Sequence, residues 1–405
     1  MDRFPAKVWL VAAILAIFCS GCTKRQTSSA TVPGSTSALP DKFSEYLKSD
    51  IPPADGFDFP LGDANGAGGY TDKATGKTYS GWSVSVHFGD NYSYGIHPAE
   101  DWGGNGPSAS DLGQPIHALA NGKVAFADFC GRLFGNVVMI DHVFYENAEK
   151  KTIRSVYVHL HDIQVRSGQL VQKRQVIGTV GQDPDKLFAP HLHLELRWNR
   201  TLSPTFWPSS NGKDLDWIKQ HYTDPSKFIS THRNLPQPQN EATLILVEQQ
   251  TCKMRLYQAG IMQGEYDVSF GQGKGAKETE GDNKTPVGMY FVIQKHQGTF
   301  AGTYGAYSGG YWIKVNYPNE FDASRAKSEG WISESQRAAI IKAWRNRQPT
   351  LENTKLGGGI GFHGWVREWS NDGPRHLSWG CVVMHPNDIS KIYDEIPEGT
   401  MVVIF

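Results

Sequence analysis

In the stretch Ala189-Pro190-His191-Leu192-His193-Leu194-Glu195-Leu196-Arg197, polar and apolar residues alternate. Alternation of this kind predicts a β-strand, with His191, His193 and Glu195 on one face and Leu192, Leu194 and Leu196 on the other. The leucine face requires a core. The other face sets two imidazoles side by side, roughly 6–7 Å apart at two strand rises. That spacing suits a division of labour in which one ring ligates a metal and the other acts on water. A half-exposed strand that merely carries histidines gives the same pattern, so the residues around it decide.

Upstream lies Gly95-Ile96-His97-Pro98-Ala99-Glu100-Asp101-Trp102. His97 and Asp101 have i, i+4 spacing, but Pro98 pushes His97 out of helical geometry, so the pair belongs to a strand-to-turn element. Two imidazoles and a carboxylate are the ligand types of a catalytic zinc site that leaves its fourth position to water. Between them, Tyr157-Val158-His159-Leu160 carries a third imidazole at a strand end.

Taken in order, His97-x-x-x-Asp101, Tyr-x-His159-Leu and His191-x-His193 resemble the lysostaphin/LytM-type zinc endopeptidases, which cut peptidoglycan cross-bridges. Gly113–Ala118, Gly135–His142 and Gln175–Gly181 match as well, and the resemblance covers about residues 90–200. It implies an antiparallel β-domain with the duplicated hybrid motif of that family, zinc held by His97, Asp101 and His193, and His159 and His191 acting on the attacking water and the tetrahedral oxyanion. Ala99 stands where the family usually has Gly, and no ligand is lost. His87, His117, His142 and His161 have no motif role.

Around these motifs, Pro115–Leu119, Lys123–Ala127, Asn136–Asp141, Ser155–Leu160, Gln175–Gly181 and His191–Arg197 read as strands, and Asn121-Gly122 as a hairpin turn. Beyond a Pro-rich segment, Leu235–Asn240, a second β-rich block begins at Ala242. Thr243–Glu248, Met254–Gln258, Glu265–Phe270 and Val287–Ile293 read as strands, and the last seven residues as a buried terminal one. Ser333–Trp344 reads as a helix, since Ser333 and Gln336 have capping-box spacing.

This second block contains Gly361-Phe362-His363-Gly364 and Ser378-Trp379-Gly380-Cys381-Val382-Val383-Met384. A lone Cys in an apolar run is commonly inert. Here a preceding glycine leaves room for a carbonyl and offers an N–H for an oxyanion, and a histidine can take the thiol proton. The block resembles the YkuD-type L,D-transpeptidases, closest to the YafK-like branch, across about residues 242–405. Gly281–Tyr290 and Tyr317-Pro318-Asn319 fit the same pattern. The resemblance implies Cys381 as nucleophile, His363 as base, and Gly364 as donor of an orienting carbonyl; Gly380 and Trp379 border the site. Trp379 replaces a usual His, and Val383 a usual Arg or Asn, which bears on acceptor and carboxylate recognition.

The N-terminus is an address. Basic Arg3 and Lys7 precede an apolar run, Val8–Phe18, and Cys19-Ser20-Gly21-Cys22 resembles a bacterial lipobox with Cys22 as the lipidated residue; a plain secretory signal is the other reading. Thr23–Pro40 is a Ser/Thr/Ala/Pro-rich tether, with one short helix at Asp41–Ser49. The full division is a signal over 1–22, a flexible tether over 23–55, an endopeptidase domain over 56–233, a linker over 234–241 and a transpeptidase domain over 242–405. At 405 residues, 39% hydrophobic and net charge −1, the chain has room for two cores and no electrostatic reason to bind nucleic acid. Cys130 and Cys252 either pair or stay as two buried thiols.

Together the motifs predict a mainly β, exported, periplasmic cell-envelope enzyme, lipid-anchored to a membrane, that remodels peptidoglycan stem peptides. One domain would hydrolyse cross-links with Zn²⁺, and the other would transfer or hydrolyse at an L,D bond. The alternative is a wall-binding scaffold or activator of other hydrolases with one or both sites inactive.

Overall fold

The computed structural model describes residues 41–107, 109–182, 185–300, 308–366 and 376–405. The signal, Cys22 and the tether up to residue 40 lie outside them. The fold is mainly β. In the first half one sheet runs in the order Leu170–Val171, Gly122–Phe129, Asn136–Glu146, Glu149–Ile163, Leu192–Arg197, Glu100–Gly104, Trp82–Val86. Its pairings are antiparallel. Val176–Val180 branches off Glu149–Ile163 and pairs with Pro115–His117.

Leu192, Leu194 and Leu196 sit in the core with Val138, Ile140, Tyr157 and Ile177. The polar face of the same strand is buried too: His193, Glu195 and Arg197 are all almost inaccessible. Leu215–His221 and Pro225–Thr231 are short helices, the second closing the core with Phe228 and Ile229.

Asn121-Gly122 does not close a hairpin. The strands on either side of it pair with different partners, Val176–Val180 and Asn136–Glu146. Gly122 is needed for close approach instead, since a Cβ there would lie 2.7 Å from Asp141 O. The long hairpin is Asn136–Glu146 with Glu149–Ile163, turned at Asn147, whose φ is +55°.

In the second half the sheet closes on itself. Its order is Lys253–Gln258, Thr243–Glu248, Met401–Ile404, Gly288–Gln297, Tyr311–Val315, Gly361–Gly364, Val382–Met384, Ile261–Gly271 and back to Lys253–Gln258. The terminal strand is buried throughout and runs parallel to Thr243–Glu248. Among the described residues three helices accompany this barrel: Glu320–Ser328, Glu334–Arg345 and Pro386–Ile392, the last of which sends Ile389 and Ile392 into the barrel core. The helix Glu334–Arg345 has the capping box of Ser333 and Gln336, and its Trp344 donates to Met289 O at 2.9 Å.

Residues 41–55 are part of the fold, not of a flexible tether. Helix Lys42–Leu47 buries Phe43 and Tyr46 in a cluster that also takes Tyr145 and Ala148 from the long hairpin and its turn and Leu244, Met289 and Val403 from the barrel. Asp41 pairs with Arg255 at 2.7 Å, and Lys42 with Glu248 at 3.0 Å. At the hairpin tip, Asn147 Oδ1 accepts from Asn319 Nδ2 at 2.9 Å. The halves therefore share a small core. Cys130 and Cys252 form no disulfide. No helix among the described residues is long and apolar enough to cross a membrane.

Candidate active sites

The antiparallel register sets His193 directly opposite Asp101 and, on its other side, next to Val158. His97 enters from the turn before Glu100–Gly104. His97 Nε2, Asp101 Oδ1 and His193 Nδ1 converge, with separations of 3.2 Å (His97–His193), 3.2 Å (His97–Asp101) and 2.9 Å (His193–Asp101). Donor atoms around a tetrahedral zinc ion sit about 3.3 Å apart. These three therefore match such an ion to within a few tenths of an ångström.

The outer hydrogen bonds fix what faces inward. His97 Nδ1 lies 3.3 Å from His87 O, and His193 Nε2 lies 3.2 Å from Glu195 Oε1. If both of these nitrogens donate, Nε2 of His97 and Nδ1 of His193 present lone pairs toward a carboxylate oxygen. Three acceptors in mutual contact require a shared cation, either a proton on His193 or a metal. Outer partners of this kind are the usual support of metal-binding histidines. Burial pushes His193 down, but Asp101 and Glu195 outweigh it and raise its pKa to about 9. Glu195 is held in turn by Arg197, and both are buried.

His159 sits on a bulge in Glu149–Ile163, between the pairs at Tyr157 and Leu160, with φ +66°. The bulge turns its ring into the site, 4.8 Å from His191 and 6.0 Å from His193 between ring centroids. Its Nδ1 is buried with no partner among the described residues. Burial, then the nearby His191 and His193, hold it well below the ordinary imidazole pKa, so it is neutral at pH 7. His191 Nδ1 lies 2.8 Å from Ala189 O and its Nε2 3.8 Å from Asp101 Oδ1. All five predicted residues thus meet in one place. Asp101, His159, His191 and His193 open into a cleft of about 780 Å³ walled by Tyr92, Tyr94, Phe134, Phe188 and Trp207, with His97 buried behind them. His142 is a core residue on Ser155, 2.7 Å away, and belongs to no site.

The second site lies on the barrel. Strands Gly361–Gly364 and Val382–Met384 are parallel neighbours, which puts His363 and Cys381 on the wall of one cleft of about 420 Å³, the thiol donating to Gly359 O at 3.6 Å. His363 Nδ1 lies 2.7 Å from Gly364 O; donation there leaves Nε2 as the acceptor. Burial lowers the His363 pKa and pushes the Cys381 thiol up to about 11, against the Gly361 N–H and the charge of Lys277. The resting pair is therefore thiol and neutral imidazole. Trp379 stands at the mouth of the cleft, 43% exposed. The Gly380 N–H, expected to serve an oxyanion, has an acceptor within its own turn. It donates to Ser378 Oγ at 3.1 Å, and Ser378 Oγ donates to Cys381 O at 2.6 Å, which ties the turn before the thiol. Gly380 is still required there, because its φ is +130° and a Cβ would lie 2.9 Å from Lys284 O.

Glu195 and Arg197 behind His193, the aromatic wall, and Lys277 on the Cys381 cleft belong to none of the sequence motifs. Glu195 was findable, being two residues from His193 on the same strand face. Lys277 carries no such signal, since only the barrel brings it to the thiol.

Residues 107–204 match the model of peptidase family M23, and residues 242–404 that of the L,D-transpeptidase catalytic domain (YkuD). Lipoprotein NlpD of Yersinia enterocolitica is 33% identical over 90 residues, 22% of this chain and 84% of that protein. The chain belongs to peptidase family M23 and carries an L,D-transpeptidase catalytic domain. The chain is also 35% identical, over 88 residues, to the peptidoglycan DD-endopeptidase ShyB of Vibrio cholerae; this covers 22% of the chain and only 18% of ShyB. Among solved structures, the catalytic domain of lysostaphin from Staphylococcus simulans is 22% identical, covering 37% of this chain and 92% of that one at a TM-score of 0.26. His159, His191 and His193 of the first cleft fall within the M23 match, with His97 and Asp101 just before it, and the second cleft falls within the transpeptidase match.

Proposed function

We propose that this chain is an exported, bifunctional peptidoglycan-remodelling enzyme of the cell envelope. Its M23 domain hydrolyses peptide cross-links with zinc held by His97, Asp101 and His193. The observation that carries this reading is the convergence of three acceptor atoms within 3.2 Å, each imidazole braced from behind. Zinc, when bound, supplies Lewis acidity toward water and the scissile carbonyl. The chain's own residues supply the rest. His159 accepts a proton as a neutral, desolvated base, and His191, its ring oriented through Ala189 O, presents Nε2 toward the tetrahedral oxyanion.

In the second domain Cys381 Sγ attacks the L,D carbonyl while His363 Nε2 takes the thiol proton. Collapse breaks the C–N bond, the proton leaves on the departing amine, and a thioester on Cys381 remains for an amine or water to resolve. Trp379 donates one hydrogen bond and cannot relay a proton, which favours water. Attachment through Cys22 belongs to the same proposal, and Cys22→Ala should release the protein from membranes or leave the signal uncleaved.

Digestion of purified peptidoglycan, read by mass spectrometry, tests both domains. The Cys381→Ala variant should still cut cross-links and lose the L,D products, and His193→Ala the reverse. A wild-type protein that makes neither product set, yet binds the wall, is the scaffold instead.

A further inference from the structure

The Cys381 cleft has an unexplained cation. Val383 follows the thiol where an Arg or Asn is usual, so the strand itself brings no charge toward a substrate carboxylate. Yet among the described residues lining the cleft, one side chain carries a full positive charge, and it comes from another part of the barrel: Lys277. It is 6% exposed, an unusual place for a lysine. Its ammonium donates to Thr279 O at 2.8 Å and to Asp282 Oδ1 at 3.0 Å. An ammonium has three donors, so one is left over from these two hydrogen bonds; the ammonium also lies over the Tyr317 ring, 5.7 Å from its centroid.

Asp282 does not cancel this charge simply. Its carboxylate also accepts from the N–H groups of Glu278 at 2.7 Å, Thr279 at 3.0 Å and Lys284 at 3.1 Å. The loop therefore holds Asp282 whether or not Lys277 is present, and Asp282 in turn holds the ammonium on the cleft. The charge is felt at the thiol, which it draws toward the thiolate against burial. The other charged lining residue, Glu280, is exposed at the rim.

We propose that Lys277 is the specificity residue of the second domain, binding a peptide carboxylate that flanks the scissile L,D bond. This rests on the reading of Cys381 as the nucleophile of that domain. Two carboxylates share the required chemistry: the terminal one of a tetrapeptide and the side-chain one of an acidic third residue. A charge-assisted bond to either, inside a desolvated cleft, is worth about tenfold to a hundredfold in affinity.

The test uses binding, so that it stands apart from turnover. In the full chain carrying Cys381→Ala, titration calorimetry compares three tetrapeptides: the free acid, the C-terminal amide, and one amidated on the third side chain. The free acid should bind about tenfold to a hundredfold tighter than one of the two amides, and which one identifies the carboxylate. Adding Lys277→Met should abolish that preference, and Lys277→Arg should restore part of it with an unchanged melting temperature. A preference that survives Lys277→Met, or no preference at all, overturns the inference. Carboxylate-selective binding in a wild-type protein that cleaves nothing would support it while refuting the catalytic reading on which it was built.

Discussion

Asp101 and His193 face each other directly across an antiparallel strand pair, Oδ1 and Nδ1 2.9 Å apart. Behind His193 stands Glu195, and behind Glu195 stands Arg197, so a line of alternating charge runs from the cleft into the core. Proton and metal therefore compete for one nitrogen. With His193 raised to about 9, metal uptake at neutral pH must displace a proton. Apparent zinc affinity should weaken about tenfold per pH unit from pH 8 to 6, measured by competition with a chromophoric chelator. A flat profile would contradict the arrangement. In the metal-free protein the stabilisation from this protonated His193 is fully present below the ordinary value near 6.5 and is lost as pH rises through about 9.

His159 and His191 should work on water and oxyanion without holding the ion. His159→Ala should keep zinc and lose about 10²–10⁴-fold in cross-link hydrolysis, the usual cost of a positioned acid–base group. Zinc loss in a folded His159→Ala protein would put His159 among the ligands.

Glu195 and Arg197 are a buried pair whose partners cannot be removed singly. Glu195→Ala leaves an uncompensated guanidinium in the core and should destabilise the fold by about 3–5 kcal/mol. Denaturant unfolding of metal-free protein reads this directly. A change below about 1 kcal/mol would mean that water reaches Arg197.

Cys381 should be slow toward small electrophiles in the resting enzyme. Its thiol is raised to about 11, so thiolate accumulates only toward that pH. Iodoacetamide labelling, read on the intact protein, should climb steadily from pH 7 to 10. A plateau reached below pH 8 would show a preformed thiolate–imidazolium pair.

Much of this was legible in the sequence because it is written in short-range pattern. The alternation from His191 to Arg197 gives the strand and its two faces. Pro98 keeps His97 out of a helix, and Ser333 with Gln336 marks a helix start. What was not legible is set by pairing at long range. Asn121-Gly122 has hairpin chemistry, yet strand partners chosen elsewhere override it. Phe43 and Tyr46 sit in a polar stretch that looks like a tether, and only the meeting of hairpin tip and barrel provides the core that buries them. Lys277 lies about a hundred residues from Cys381 and reaches it only through barrel closure.

The central claim is the metal centre, and elemental analysis of purified full-length protein tests it most directly. One zinc per chain is expected in the wild type and in His159→Ala, with none retained in His193→Ala or Asp101→Ala. Stoichiometric zinc in a folded His193→Ala protein, or its absence from the wild type after zinc loading, would contradict the account.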